Sequence, residues 1–315
     1  MIAKKTKASK LLADIPTHLI MGFLGVGKTT AILNLLKQKP AGEKWAVLVN
    51  EVGQIGLDGD IYQAAGVTVK EIAGGCLCCA LGLPFEVSIN QLLKQTRPDR
   101  LFIEPTGLGH PKKVLDRLLN RIAPGVLDVK AGICLVDPAH FNNPEYLQHA
   151  NFVDQIMMAD IVVANKTDLA DEQAMTAFYQ WIENCQPPKD IVAETIQAEL
   201  DIAWLDMKRS PERVAKYPDA HAEQGADEGY LMQGYVFDRQ DRFDYEKLIA
   251  LCQSMKVERL KAIMHTDKGW LLLNQSGKAL TVTAVEPSEQ NKIEVISGQN
   301  TEDNLKKLIL SCRKN

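Results

Sequence analysis

The stretch Thr17-His18-Leu19-Ile20-Met21-Gly22-Phe23-Leu24-Gly25-Val26-Gly27-Lys28-Thr29-Thr30 decides the fold of this chain. Leu19, Ile20 and Met21 read as the end of a buried strand. Leu33, Leu35 and Leu36 read as the helix beyond. The spacing between them is G-x-x-x-x-G-K-[ST], the phosphate-loop pattern. Glycines let the backbone turn its N–H groups inward around a phosphate oxygen. The helix that follows points its positive end at the same anion. Gly22, Gly25, Val26, Gly27, Lys28, Thr29 and Thr30 form the candidate nucleotide cradle. Lys28 can reach the β- and γ-phosphates and take up charge in the transition state, and the Thr29 hydroxyl can ligate Mg2+.

Outward from this loop, residues 17 to about 196 alternate short β-branched runs with helical periodicity. Strands are predicted at 17–22, 45–50, 67–73, 99–104, 130–136, 160–165 and 190–193. This alternation predicts an α/β fold, a mostly parallel P-loop sheet with helices on both faces. Ligands of such sheets sit at the carboxyl ends of the strands. A short helix is expected near 200–205. Strands at 230–238, 259–266, 269–275, 279–286 and 292–297, with helices at 244–255 and 301–313, predict a smaller α+β C-terminal domain. The expected organisation is a frayed tail over 1–16, a P-loop domain over 17–208, a Pro- and Gly-bearing linker over 209–228 and the second domain over 229–315.

The 315 residues suffice for two cores. A net charge of −4 gives no basic field for nucleic acid or anionic lipid. The lysines of residues 1–10 precede no long apolar run, so no signal peptide is read there. No run approaches membrane-spanning length. Seven cysteines, three of them within four residues, argue for a reducing cytoplasm and a thiol site.

Four motifs follow the phosphate loop. Asn165-Lys166-Thr167-Asp168 succeeds a buried run. Asp168 can accept from both N1–H and N2–H2 of guanine, whereas adenine offers a bare N1, and the stem of Lys166 can lie over the ring. The competing reading makes Asp168 a helix cap. Glu104 ends a hydrophobic strand, where a carboxylate can hold Mg2+ through a water, unless it is only an exposed strand-end charge. The N–H of Gly107 can touch the γ-phosphate, in a loop of the kind that a triphosphate orders. Asn50 to Asp58 suits a first switch, with Asp58 orienting water or the metal ion. Glu51 either accepts a proton or is a solvated loop charge. Cys76-Leu77-Cys78-Cys79 places three thiols where Zn2+ is the natural neutralising ion, with Co2+ or Ni2+ as substitutes. The competing reading is a set of inert buried cysteines.

Together, Gly22 to Thr30, Asn50-Glu51-Val52-Gly53, Gly75 to Cys79, Glu104-Pro105-Thr106-Gly107-Leu108 and Asn165 to Asp168 resemble the CobW-like metallochaperone branch of the metal-handling P-loop GTPases. Within it, the chain looks most like the YeiR-type zinc-binding GTPases. The C-x-C-C motif is the specific part. The resemblance implies slow GTP hydrolysis coupled to metal delivery to a client metalloprotein, with metal on Cys76, Cys78 and Cys79 and nucleotide gating it. It also implies a cytosolic protein and, for several members, a homodimer. Gln54 stands where many members carry a glutamate, and the linker holds only His221 in place of a histidine-rich run. The alternatives are a GTP-dependent protein-interaction switch without metal cargo and a P-loop small-molecule kinase. Asn165 to Asp168 argues against the kinase.

Overall fold

A computed structural model describes residues 12–49, 62, 68–71, 83–107, 111–215, 230–277, 279–298 and 305–314. The first sheet comprises β1 (Ile15–Met21), β2 (Trp45–Val49), β3 (Thr68–Glu71), β4 (Arg100–Glu104), β5 (Leu127–Val129), β6 (Ile133–Val136), β7 (Ile161–Ala164) and β8 (Ile191–Glu194). Their order is β3-β2-β4-β1-β6-β7-β8, with β5 beside the start of β1. Every pairing in it is parallel. All residues of β2, β6 and β7 are buried, on both sides of the pleat. Both faces of the sheet are therefore covered, as a parallel sheet requires.

The covering helices are α1 (Lys28–Lys37), α2 (Leu83–Thr96), α3 (Pro111–Asn120), α4 (Pro144–Gln148), α5 (Ala150–Met158), α6 (Glu172–Glu183) and α7 (Pro211–Ala215). In α6, Ala174, Phe178 and Ile182 recur every four residues and form the buried stripe. Asp171 starts that helix by accepting from the Ala174 N–H at 2.7 Å.

The second sheet is antiparallel. It contains β9 (Tyr230–Phe237), β10 (Arg259–Thr266), β11 (Gly269–Ser276), β12 (Ala279–Ala284) and β13 (Asn291–Gly298), in the order β12-β11-β10-β13-β9. The helices α8 (Tyr245–Ser254) and α9 (Leu305–Ser311) share one core with it. Leu260, Ala262 and Met264 alternate into that core with Leu271, Leu273, Ile293 and Val295. Period two then turns Arg259, Lys261 and Ile263 to the other face. Ile296 is on that face too, opposite Arg259, and packs into the core of the first sheet.

Three expectations shift. First, β1 begins inside the expected tail, because the Ile15 N–H is held by the Val126 carbonyl at 2.9 Å. Second, the strand expected over 130–136 begins only at Ile133, as β6, and the separate short β5 precedes the expected range. The Lys130 N–H bonds Thr17 and the next N–H, of Ala131, turns away to Met207, each at 3.0 Å, so the ladder is interrupted. Third, the expected linker starts with α7, whose Arg213 is buried. Its Nε donates to Asp160 Oδ1 and its Nη2 to Asp190 Oδ1, both at 2.8 Å. Pro211 is compatible with the first turn of a helix, and both carboxylates are remote in sequence, so local composition misread the stretch. The short helix expected near 200–205 is a 3-10 turn over Ile202–Asp206.

His18 is buried in β1 with its ring 4.9 Å from that of Phe102, and neither ring nitrogen has a hydrogen-bond partner among the described residues. Burial holds its pKa down at about 3. As pH falls below about 6.5, the unfolded chain binds a proton that folded His18 refuses, so folding loses stability over that window. His18→Phe should flatten this loss. Urea-unfolding free energy, measured between about pH 6 and pH 4, should fall less steeply than in the wild type. An identical slope would contradict a neutral buried His18.

Candidate functional site

Residues at the ends of three parallel strands, β1, β4 and β7, converge at one edge. The phosphate loop leaves the end of β1, and α1 begins at Lys28. Gly27 caps this helix at φ +106°. A Cβ there would lie 2.6 Å from Asn165 Nδ2, so the loop and the residue after β7 meet only because this position is glycine. Lys28 Nζ donates to the carbonyls of Gly22 at 2.8 Å and Phe23 at 3.0 Å, which stretches the lysine back along the loop. Burial pushes its pKa down to about 7; Glu104 opposes the shift, and Arg259 and Lys261 add to it. The loop is pinned from outside by Phe23, whose ring meets His149 edge-on at 4.9 Å and Tyr146 at 5.5 Å.

Glu104 ends β4 and is buried. Its Oε1 accepts from Thr29 Oγ1 at 2.8 Å and its Oε2 from the Tyr62 hydroxyl at 2.6 Å. Burial raises its pKa, against the pull of Lys28 and these two hydrogen bonds. A hydroxyl and a carboxylate side by side are hard oxygen donors of the kind that Mg2+ prefers, so the set fits that ion. Gln155 of α5 ties the site together. Its Oε1 accepts from the Gly22 N–H at 2.6 Å, and its Nε2 donates to the Gly107 carbonyl at 2.7 Å. The first glycine of the phosphate loop and the stretch beyond Glu104 are thereby one hydrogen-bonded unit.

Asn165 directly follows β7. Its Nδ2 donates to the Val26 carbonyl at 2.9 Å, and its Oδ1 accepts from the Ala198 N–H at 2.8 Å. It thus joins three loops rather than facing solvent. Lys166, at φ +63°, reaches across to Asp137 at 3.0 Å. Asp168 is exposed in the turn that follows.

The structure brings together Gly22, Gly25, Val26, Gly27, Lys28, Thr29, Glu104, Gly107 and Asn165. Thr30 lies at the exposed start of α1, beside the loop. Asp58, Cys76, Cys78 and Cys79 lie outside the described residues. Among the described residues no group of three His, Cys, Asp or Glu side chains is poised for a metal. Cys134, Cys185, Cys252 and Cys312 are buried free thiols, as their apolar settings suggest. Sequence reasoning passed over Tyr62, Gln155, Ala198, Arg259 and Lys261. Only Gln155 had a local signal, as an amide between Phe152 and Ile156 on the buried side of a helix.

The chain matches the family described as CobW/HypB/UreG, nucleotide-binding domain, over residues 16–193. It is 36% identical over 324 aligned residues to the zinc chaperone YeiR of Escherichia coli (strain K12), covering 94% of this chain and 98% of that one. It is 30% identical over 228 residues to the zinc chaperone CobW of Sinorhizobium sp, covering 64% of each. A solved structure of the Zn(II)-bound YjiA GTPase from E. coli matches over 96% of this chain and 99% of its own at 20% identity. Its TM-score is 0.42, an overlap too loose to support any reading of the site.

Gln155→Leu keeps an apolar stem but strands the Gly22 N–H and the Gly107 carbonyl in a buried place. Each orphaned group costs about 1–3 kcal/mol. The variant should therefore lose at least about 2 kcal/mol of stability in urea unfolding. An unchanged midpoint would remove the bridge from the account.

Proposed function

The chain belongs to the CobW/HypB/UreG family, and on that premise we propose that it hydrolyses GTP and couples the nucleotide to delivery of zinc, or a similar divalent metal, to a client metalloprotein. The observation that carries this reading is the meeting of Lys28, Thr29 and Glu104 at the ends of β1 and β4. They form a phosphate cation, a metal-binding hydroxyl and a metal-facing carboxylate around one small space.

In this reading Lys28, already stretched along the loop, binds the β- and γ-phosphates. Thr29 would ligate Mg2+, and Glu104 would hold it through a water; an ion bound there would supply charge to neutralise the phosphate oxygens. The Gly107 N–H meets the γ-phosphate, and Gln155 transmits its position to Gly22. Asp58 orients water or the metal ion. Asp168, free to face an incoming base, accepts from the guanine edge while the stem of Lys166, directed by Asp137, lies over the ring. Asn165 holds the phosphate and base loops in register. The cargo metal binds Cys76, Cys78 and Cys79, which stand between the two switch segments in sequence. GTP then changes metal affinity, and metal changes GTP affinity by the same factor, on the order of 1–3 kcal/mol. The client is a metalloprotein, the chain acts in the cytoplasm, and two copies associate.

Two measurements test this reading. Asp168→Asn removes the acceptor for two guanine donors. Guanine nucleotide affinity should fall about 10- to 100-fold, at about 1.5–3 kcal/mol for bonds to a charged group, and preference should move toward xanthine nucleotides. An unchanged ranking in a competition assay would remove the base-reading role. Cys78→Ala should lower Zn2+ affinity in equilibrium dialysis under reducing conditions and abolish any effect of Zn2+ on hydrolysis. Equal binding by the mutant and the wild type would dissociate the cysteines from the cargo and favour a switch without metal.

A further inference from the structure

We propose that Arg259 and Lys261, on the face of β10 turned toward the phosphate loop, are ligands of the terminal phosphate, so that the C-terminal sheet completes the nucleotide site. The inference rests on the GTP-binding reading and extends it to a part of the chain with no nucleotide motif.

Register brings these side chains to the loop. Leu260 and Ala262 enter the core beneath α8 and α9, so Arg259 and Lys261 point the opposite way. Lys261 Nζ donates to Thr29 Oγ1 at 3.1 Å. Arg259, Lys261 and Asn274 of the second sheet line a cavity whose other wall includes Lys28, Thr29 and Glu104. Ile296 in the first core and a hydrogen bond from the Tyr146 hydroxyl to Glu258 at 3.0 Å hold the sheet in this place.

The lining of the cavity is mainly cationic. Three of its lining residues, Lys28, Arg259 and Lys261, are cationic and one, Glu104, is anionic. Glu294, buried opposite Lys261 on β13, adds a second carboxylate beside the lining. Arg259 is 8% exposed and Lys261 7%. Their field already bears on the loop, since both help to depress Lys28. A guanidinium matches phosphate oxygens in a two-pronged geometry, and an ammonium adds a point charge beside it.

Position selects which phosphate. Thr29 and Glu104 would hold Mg2+ beside the outer phosphates, and Lys261 is bonded to that same Thr29 hydroxyl. Its ammonium thus lies on the outer-phosphate side of the loop. The cavity is only about 30 Å³, near the share of a single water. A Cβ at Gly25 would be 2.2 Å from Ser276 Oγ, so the end of β11 presses directly on the loop. The C-terminal sheet must draw back to admit a nucleotide and then settle with β10 against the terminal phosphate. GTP and GDP therefore hold that sheet differently.

The test uses the full chain with Mg2+ and titrates GDP and the non-hydrolysable analogue GMPPNP into wild type, Arg259→Ala and Lys261→Ala by calorimetry. Each alanine variant should lose about tenfold or more in GMPPNP affinity while GDP affinity changes by no more than about twofold, the scale of one charge-assisted hydrogen bond. Arg259→Lys and Lys261→Arg should recover part of the loss. Lys261→Met, which retains the apolar stem, should behave as Lys261→Ala does, and thermal melting checks that each variant is folded. Equal weakening of both nucleotides, or GMPPNP binding that is unchanged or tighter, would overturn the proposal. Tighter binding would make the sheet a plug over an otherwise complete site. Failure of the wild type to bind either nucleotide would instead overturn the GTP-binding reading itself.

Discussion

A carboxylate kept out of water at the end of β4 governs the geometry of the nucleotide edge. Glu104 cannot remain there unaccompanied, because an ionised group in a dry setting needs donors and opposite charge. Thr29 and Tyr62 supply the donors, and Lys28 the charge. Lys28 and Thr29 arrive together at the start of α1, and Tyr62 comes from a separate part of the chain. Meeting the needs of one side chain therefore fixes the start of α1 against the end of β4, the relation on which metal and phosphate binding both depend.

Two amides extend this constraint outward. Gln155 spans Gly22 and Gly107, and Asn165 spans Val26 and Ala198. Both side chains are buried and use one donor and one acceptor on backbone groups that would otherwise be unmet. The loops at the strand ends are consequently less independent than loops usually are. A displacement of the Gly107 stretch is felt at the first glycine of the phosphate loop through hydrogen bonds alone. With the proposed contact of Gly107 to the terminal phosphate, this is a physical route by which the state of that phosphate would reach the phosphate loop.

The second sheet has its own core, yet the β10–β13 part of its other face is not given to solvent. It lays an apolar residue, Ile296, into the first core and aligns two long cations with the phosphate loop. An antiparallel sheet commonly leaves one face to water. Here Ile296, Arg259, Lys261 and Asn274 of that face lie against the first sheet and its phosphate loop.

The parallel sheet, its carboxyl-edge site and the antiparallel sheet with its helices were legible in the sequence. Their signals are local: period two, period 3.6, glycine spacing and a lysine after the last glycine. Lys28, Thr29, Glu104 and Asn165 stood out because each falls at a fixed offset from a buried run. Tyr62, Gln155, Arg259 and Lys261 did not, since their partners are remote in sequence and nothing in adjacent residues marks an arginine or lysine on a strand as facing a loop over 200 positions earlier. The same limit applied to Arg213, read as linker and found buried between Asp160 and Asp190. Sequence periodicity determined which elements form and where the phosphate loop lies. Only tertiary packing decided which distant charges surround that loop, because the cost of burying a charge is set by its neighbours in space.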